Sequence, residues 1–291
     1  DIRYRLSGIA CVSSHLERSV HSRGAEQLTV QRIPCGVPIP RKQRQRENAT
    51  LKLVYIGRLA EEAKQITLLT KALCQATRLI PGVEAVIYGD GPARDSVEYI
   101  LQTEGAGLPI RRGGIVDSAD VYDVLLENDI LILLSDYEGV PVSVMEAMAC
   151  GLVPVCLDIR SGIPELITND HNGMIVQDRS DDFLRAIGRL REDTELWNLL
   201  ARNARATIEQ KFSDQVCTLE WVRLFNSVAA NGLQRNTQRI SRRIVLPAVH
   251  PLLKDGDPRA INTPSWPKQA IRHGRMLLGK WRRKLLHRAR Q

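Results

Sequence analysis

The sequence predicts an α/β fold in which helices cover both faces of a doubly wound parallel sheet. From residue 51 onward, short apolar segments rich in Val, Ile and Leu alternate with segments of helical periodicity. Strands that are apolar along their whole length are typical of parallel sheets, because both faces of such a sheet are covered. We expect strands at residues 51–56, 83–88, 108–112, 129–134, 153–157 and 174–176.

The composition indicates a globular protein and argues against several other classes. Hydrophobic residues make up 43% of the 291 residues, which is enough for the core of one large or two ordinary domains. Aromatic residues make up only 4%, which argues against base-stacking platforms, and no nucleic-acid partner is expected. The six cysteines are scattered without a C-x-x-C pair, so we interpret them as small buried residues of a cytoplasmic protein. No metal site and no cofactor are predicted.

No segment has the pattern of a targeting or membrane-spanning sequence. The chain opens with the polar DIRYRLSG and lacks an initiating Met, so we expect a fragment without a signal peptide. The most apolar window, residues 130–159, is interrupted by acidic residues, prolines and glycines, and it does not qualify as a membrane span.

A short strand, helix and strand precede the main sheet. We expect the helix to begin at Ser13 or Ser14, within residues 1–37. Residues 38–50, PIPRKQRQRENAT, begin with proline and are highly charged, which is typical of a connection between domains. The main α/β domain is then expected at residues 51–228.

Residues 129–158 hold two candidate site carboxylates in a strand, loop, helix and strand. Glu138 lies in the loop, and Glu146 lies inside the helix. Pro141 at the first helical position leaves backbone N–H groups of that turn free to meet an anion or a sugar oxygen. A carboxylate in an apolar helix needs a reason, because burying an unpaired charge is costly. A salt bridge or a surface turn of the helix is the alternative explanation.

Further candidates lie in the loops that follow other strands, where parallel sheets bind ligands. Arg58, after Gly57, and Lys64 follow the first strand of the main sheet and suit a diphosphate. Two solvated surface charges are the alternative. In the loop after the fifth strand, Gly162 is expected to allow the backbone conformation of the turn. Glu165 is expected in the first turn of the next helix, where the helix dipole favours an acid.

The spacing of the two glutamates resembles the signature of glycosyltransferase family 4. In that family a Glu, seven residues and a second Glu frame the sugar donor, as Glu138, GVPVSVM and Glu146 do here. The turn Gly89-Asp90-Gly91-Pro92 also resembles the family pattern, whereas Gln65 stands where the family usually has Gly after the Lys. The resemblance covers about residues 8–228.

The resemblance implies the GT-B fold, with a Rossmann-like donor-binding domain and a separate acceptor-side domain. Residues 51–228 would be the donor domain, and residues 1–37 would be the remnant of the acceptor-side domain. The implied activity is retaining, metal-independent transfer of a sugar from a UDP- or GDP-sugar to a hydroxyl acceptor, in polysaccharide or glycolipid synthesis. Another GT-B enzyme, such as a nucleotide-sugar epimerase, and a non-catalytic nucleotide-sugar-binding or membrane-associated module are the alternatives.

The resemblance also assigns roles to single residues. Arg58 and Lys64 would clamp the diphosphate and stabilise the departing negative charge, and Glu138 would hold and polarise the sugar. These three are the expected catalytic residues. The expected donor-binding residues are Glu146 at the ribose hydroxyls, Val116 beside the nucleobase, and Gly57, Gly139, Val140 and Pro141. A plain tight turn is the alternative at Val116.

Residues 229–291 form a basic tail to which the family resemblance does not extend. They carry 15 Lys and Arg against two Asp, so the rest of the chain is net acidic. Residues 268–290 are predicted to form a basic amphipathic helix that lies on an anionic membrane surface, which would suit a lipid-linked acceptor and a peripheral position on the inner face of the membrane. A helix that docks on the globular body, and weaker nucleic-acid binding, are the alternatives. The expected apolar face of the helix at residues 268–290 consists of Ile271, Leu278, Trp281 and Leu285.

Overall fold

The chain begins with a small parallel unit that is separate from the main sheet. The computed structural model describes residues 8–23, 28–46, 50–159 and 161–230. Strands β1 (Gly8–Cys11) and β2 (Thr29–Arg32) pair in parallel, and helix α1 (Ser14–His21) lies between them in the chain. Ser13 caps this helix by accepting a hydrogen bond from the Leu16 amide at 3.3 Å, as its position predicts. The predicted amphipathic helix at residues 268–290 lies outside the described residues.

The main sheet has six parallel strands in the order β5-β4-β3-β6-β7-β8. Five strands lie at or within one residue of their predicted bounds. The third is two residues late, because Leu108 and Pro109 belong to a turn in which Leu108 donates to the Gly105 carbonyl at 3.0 Å. The strands are β3 (Leu51–Ile56), β4 (Val83–Tyr88), β5 (Ile110–Gly114), β6 (Ile130–Leu133), β7 (Val153–Leu157) and β8 (Met174–Val176).

Helices cover both faces of this sheet, as the apolar strands predict. Every residue of β6 and β7 is buried, and so is every residue from Val144 to Cys150 except Glu146. Apolar strands alternating with amphipathic helices therefore place the core between sheet and helices. The helices are α2 (Ile66–Leu79), α3 (Arg94–Thr103), α4 (Val121–Leu126), α5 (Val142–Cys150), α6 (Ile163–Leu166), α7 (Asp181–Glu192), α8 (Thr194–Lys211) and α9 (Asp214–Ala230).

The strand order creates a crevice at the carboxyl ends of β3 and β6. From β3 the chain winds outward through β4 to β5, then returns to β6 on the other side of β3 and winds outward again. The loops after β3 and β6 therefore leave the sheet in opposite directions. In open α/β sheets such a topological switch point is where ligands bind.

Residues 38–46 are fastened to the main domain by arginines. The Nε of Arg44 donates to the fully buried carboxylate of Asp129 at 2.8 Å. Arg46 donates to the last carbonyls of α7 at 2.5 and 2.9 Å. The Arg205 guanidinium, from α8, donates to the Pro40 carbonyl at 2.8 Å. This charged segment, expected to connect domains, thus packs as part of the main domain's surface.

Helix α9 returns to the N-terminal unit. The Val37 amide donates to the Phe212 carbonyl and the Asp214 amide donates to the Val37 carbonyl, both at 3.0 Å. The Gln31 side chain donates to Glu220 of α9 at 3.0 Å. The end of the described chain is therefore packed beside its beginning.

The cysteines and the helices can be compared with the expectations of burial and of no membrane span. All six cysteines are free, and five are buried as expected. The prediction was wrong for Cys35, which is exposed because it lies in the connection after β2 and outside the sheet core. Among the helices of the described residues, none is long and apolar enough to cross a bilayer.

Candidate functional site

The three expected catalytic residues lie on the two loops that border the crevice. Arg58 follows β3, Lys64 lies just before α2, and Glu138 follows β6. The loops are joined through their backbones, since the Asp136 amide donates to the Ala63 carbonyl at 2.9 Å. The strand order thus brings together side chains that lie up to 80 positions apart in the chain.

Lys64 and Glu138 form an ion pair across the crevice. The Lys64 Nζ lies 2.5 Å from the Glu138 Oε1, and their side chains are 24% and 10% exposed. Such a pair orients both groups while each keeps further hydrogen-bonding capacity, because an ammonium has three donors and a carboxylate about four acceptor positions. The pair can therefore meet a polar ligand as one preorganised unit.

Arg58 supplies an exposed positive charge at the same strand end. Its side chain is exposed, and no ion pair to it occurs within the described ranges. Its backbone is anchored, because the buried Tyr55 hydroxyl donates to the Arg58 carbonyl at 2.9 Å. Burial, with the nearby Glu138 charge, raises the pKa of Tyr55, so this hydroxyl stays a donor. The guanidinium is left available for an anion.

Gln65 adopts the conformation that a glycine would favour. Its φ and ψ are 47° and 48°, in the left-handed region. This conformation costs most residues other than glycine about 1–2 kcal/mol. The Gln65 side chain makes no capping hydrogen bond to α2. The Glu61 carboxylate takes this role and accepts hydrogen bonds from the Thr67 amide at 3.1 Å and the Thr67 hydroxyl at 3.0 Å. Lys64 still reaches Glu138, so the departure from the family pattern does not displace it.

The start of α5 is one residue later than predicted. Pro141 is extended, with φ −74° and ψ 112°, and it serves as the N-cap rather than the first helical residue. The reason is that its carbonyl accepts from Val144 and Met145 at 3.2 and 3.3 Å, so the first turn forms after it. The Val142 and Ser143 amides have no acceptor in the part of the chain that the structure describes. These amides are therefore free to meet an anion at an open helix end.

Glu146 is a half-buried carboxylate without a protein partner. It receives no hydrogen bond or ion pair from any described residue, although its helix is otherwise packed on the sheet. Burial raises its pKa, because the charged form loses water that nothing replaces. The salt bridge that could explain this carboxylate is therefore not found among the described residues.

Close backbone contacts hold the loops around the crevice. Gly89 has a φ of 130°, and a Cβ at that position would lie 1.8 Å from the Gly57 carbonyl oxygen. Its amide donates to the Gly114 carbonyl at 2.7 Å. The turn after β4 thus packs directly on the Gly57 loop, as only glycine permits.

Val116 lies apart from the other candidates. It is half-buried and stands two residues beyond β5, at the edge of the sheet. One strand, β4, separates this edge from β3, whose carboxyl end carries Arg58. A site that includes both must extend along the carboxyl edge of the sheet.

Two supporting contacts escaped the sequence reasoning, although Glu165 itself was expected to interact with a helix dipole. Arg179, after β8, donates to the Leu134 carbonyl at 2.9 and 2.7 Å and pairs with Asp136, which holds the loop after β6. Glu165 accepts hydrogen bonds from Ser14 and Arg32 of the N-terminal unit. Neither contact has a local sequence signal. Within the described residues, no group of three His, Cys, Asp or Glu side chains could hold a metal ion.

Solved structures identify the class of fold. The chain superposes on a mutant of TarM from S. aureus, solved with fondaparinux, alpha-GlcNAc-glycerol and UDP, with a TM-score of 0.68 and 21% identity over 76% of this chain and 44% of that chain. Together with the sheet described above, this likeness confirms the GT-B fold. Residues 38–207 match the model of the family Glycosyl transferases group 1, and the chain belongs to that family.

Two curated relatives have specific enzymatic names. Alpha-D-kanosaminyltransferase of Streptomyces kanamyceticus is 28% identical over 55% of this chain and 42% of its own length. UDP-Gal:alpha-D-GlcNAc-diphosphoundecaprenol alpha-1,3-galactosyltransferase of Escherichia coli is 30% identical over 46% of this chain and 34% of its own length. The chain thus spans less than half the length of either relative.

Proposed function

We propose that this chain is the donor-binding half of a retaining glycosyltransferase, which transfers a sugar from a nucleotide diphosphate sugar to a hydroxyl acceptor. The observation that carries the proposal is the charge arrangement at the switch point. Arg58 and an open helix end stand beside the Lys64–Glu138 pair, and Glu146 lies on the same helix. Neither Arg58 nor Glu146 has a charged partner among the described residues. A ligand with both an anionic and a polyhydroxyl part suits this combination.

The diphosphate would bind on the positive side of the crevice. Arg58, Lys64 and the first amides of α5 can stabilise the charge that develops on the leaving diphosphate, which is the role that a metal ion plays in other enzymes. Backbone groups at Gly57 would contact the same phosphates. Transfer would therefore need no metal.

The sugar and the nucleoside would bind through carboxylates and backbone. Glu138 would hold and polarise the sugar, with Lys64 fixing its orientation. The half-buried Glu146 can accept two hydrogen bonds from the ribose hydroxyls, which would replace the water that it loses by burial. The remaining donor contacts would come from Gly139, Val140, Pro141 and Val116.

The comparisons favour a uridine donor and a lipid-linked acceptor. The galactosyltransferase relative is named for UDP-Gal and for a sugar attached to diphosphoundecaprenol, and the TarM structure contains UDP. A lipid-linked acceptor fits the basic tail, which would hold the protein peripherally on the cytoplasmic face of a membrane. Residues 1–37 would then be the end of the acceptor-side domain, and residues 51–228 the donor domain. The product would be a polysaccharide or a glycolipid.

Calorimetric titration of the chain with UDP and GDP, with and without Mg²⁺, tests the donor site. We expect metal-independent binding of UDP that Arg58→Ala weakens by about tenfold to hundredfold, the value of one or two hydrogen bonds to a charged group. Arg202→Ala is the matched control, because Arg202 is an exposed arginine of α8 whose Nε only contacts the Asn198 carbonyl. It should leave the affinity unchanged.

Other outcomes point to other functions. Binding of neither nucleotide by the wild type would contradict the proposal. Conversion of a nucleotide sugar to its epimer without any acceptor would indicate an epimerase, whereas binding without turnover in the presence of acceptor-side domains would indicate a donor-sensing module.

A further inference from the structure

Glu165 joins the N-terminal unit to the main domain. From helix α6 its carboxylate accepts from the Arg32 Nε at 2.6 Å and from the Ser14 amide at 2.7 Å. The Ser14 hydroxyl donates to it as well, at 3.3 Å. The Glu165 side chain is 19% exposed, so solvent screens the contact only in part. Two sites of the N-terminal unit, the end of β2 and the start of α1, thus depend on one carboxylate.

The segment that carries Glu165 also touches the crevice. The Glu165 amide donates to the Gly162 carbonyl at 3.1 Å, and the Gly162 amide donates to the Gly139 carbonyl at 2.7 Å. The second contact is tight, because a Cβ on Gly162 would lie 2.5 Å from Val140 Cγ2 and 2.6 Å from the Gly139 carbonyl oxygen. Loop 139–140 cannot move toward α6 without displacing this segment.

These contacts form one continuous chain from the N-terminal unit to the crevice. It runs from Arg32 and Ser14 through Glu165 and Gly162 to Gly139, the residue that follows Glu138. The diphosphate side of the crevice, at Arg58, lies on the other loop and is not part of this chain of contacts. A shift of the N-terminal unit would therefore act on loop 139–140, which would hold the sugar, and would leave Arg58 in place.

We propose that Glu165 is a positioning residue, which couples the placement of the N-terminal unit to loop 139–140 and so to the donor sugar. The proposal rests on the donor site described under Proposed function and adds a residue that does not touch the donor. Its consequence is selective: the sugar moiety of the donor is bound better when the ion pair with Arg32 is intact, whereas the nucleotide diphosphate alone is bound equally with or without it.

Two measurements on the full chain test this coupling. Amide hydrogen exchange of Gly162 in the ligand-free protein should become about tenfold faster in Glu165→Gln, because its hydrogen bond to Gly139 loses support. The wild type and Glu165→Gln are also titrated with UDP-glucose and UDP, and with GDP-mannose and GDP. The variant should bind the nucleotide sugar about fivefold more weakly than the wild type and the diphosphate equally well. A fivefold change is within the range of one partly exposed charged contact.

Variants distinguish coupling from a general loss of structure. Arg32→Gln should reproduce both effects, and the double variant should be no worse than either single one, because each change removes the same Arg32–Glu165 ion pair. Glu165→Asp should recover part of the nucleotide-sugar affinity. Glu104→Gln, which removes an exposed pair with Lys71 at 3.2 Å, should change neither measurement.

The outcomes separate this proposal from the one on which it rests. Equal weakening of the nucleotide and the nucleotide sugar by Glu165→Gln would indicate a merely structural role and overturn the coupling, and so would unchanged values for both. If the wild type bound no nucleotide, the donor function would be overturned, whereas the exchange rate of Gly162 would still decide whether Glu165 is coupled to loop 139–140.

Discussion

Glu146 is a residue at which stability and the proposed function oppose each other. Its carboxylate is half-buried in α5, without a partner among the described residues, and burial raises its pKa above the ordinary value of 4.5. A group whose pKa is higher in the folded than in the unfolded protein makes folding less favourable as it ionises. Ionisation of Glu146 therefore destabilises the folded protein, a cost that binding sites often carry.

Replacing Glu146 by Gln should make the protein more stable at neutral pH and a weaker nucleotide binder. We expect an increase of about 1 kcal/mol in the free energy of unfolding. The gain should be absent below pH 4.5, grow as the pH rises through the interval between 4.5 and the raised pKa, and remain constant above it. Urea unfolding across this pH range, with UDP titration at neutral pH, measures both effects.

The matched control for this change is Glu192→Gln. Glu192 is an exposed residue at the end of α7, where removing the charge should leave stability within about 0.5 kcal/mol and UDP affinity unchanged. A Glu146→Gln variant that bound UDP as tightly as the wild type would refute the ribose role. A Glu146→Gln variant that was less stable than the wild type at every pH would refute the claim that the Glu146 charge destabilises the folded protein.

At the scale of elements, Asp129 holds the charged segment 38–46 against the sheet. It precedes β6 and is fully buried, and its carboxylate accepts from the Arg44 Nε and from the Lys52 amide, both at 2.8 Å. Its carbonyl accepts from the Trp197 indole of α8 at 3.1 Å. One residue thus connects β3, β6, α8 and the preceding segment.

Asp129→Ala should destabilise the fold strongly, because it leaves the Arg44 charge and the Lys52 amide without their acceptor. We expect a loss of about 3–5 kcal/mol, as for the breaking of other buried ion pairs. Glu209→Ala removes a 45% exposed carboxylate that pairs with Arg205 at 2.7 Å. Arg205 keeps its bonds to the Ala149 and Pro40 carbonyls, so this change should cost less than about 1 kcal/mol. Equal unfolding midpoints in urea for the two variants would contradict the role of Asp129.

At the scale of the whole molecule, charge separates the tail from the rest of the chain. Residues 229–291 carry 15 of the 41 Lys and Arg but only two of the 33 Asp and Glu. Basic residues near an anionic bilayer contribute about 1 kcal/mol each. Under the proposed function, such a tail would bring the main domain to the membrane that holds a lipid-linked acceptor.

The full chain should therefore sediment with vesicles that contain phosphatidylserine and stay in solution with pure phosphatidylcholine vesicles. Replacing Lys280, Arg282, Arg283 and Lys284 by Gln should weaken sedimentation at least about tenfold, and high salt should do the same. Binding that survives both treatments would argue against an electrostatic membrane contact. UDP affinity should not change in this variant.

Much of the fold could be predicted because it follows from local patterns. Apolar segments of strand length are buried wherever they lie in a two-sided sheet, so five strands lie within one residue of the expected bounds. Errors arose where a local contact shifted a boundary, as at Leu108 and Pro109 before β5.

The sequence by itself determined the fold class, the family and the residue types of the candidate site, because hydrophobic periodicity and the glutamate spacing act over short stretches of chain. Only the tertiary structure decided which charges are paired. Lys64 meets Glu138, 74 positions away, because the sheet order brings their loops together. Glu165 meets Ser14, 151 positions away, because the N-terminal unit, which has its own two-stranded sheet, packs against α6. Arg58 and Glu146 receive no such partner among the described residues. Partner choice depends on long-range strand order, which no local pattern contains.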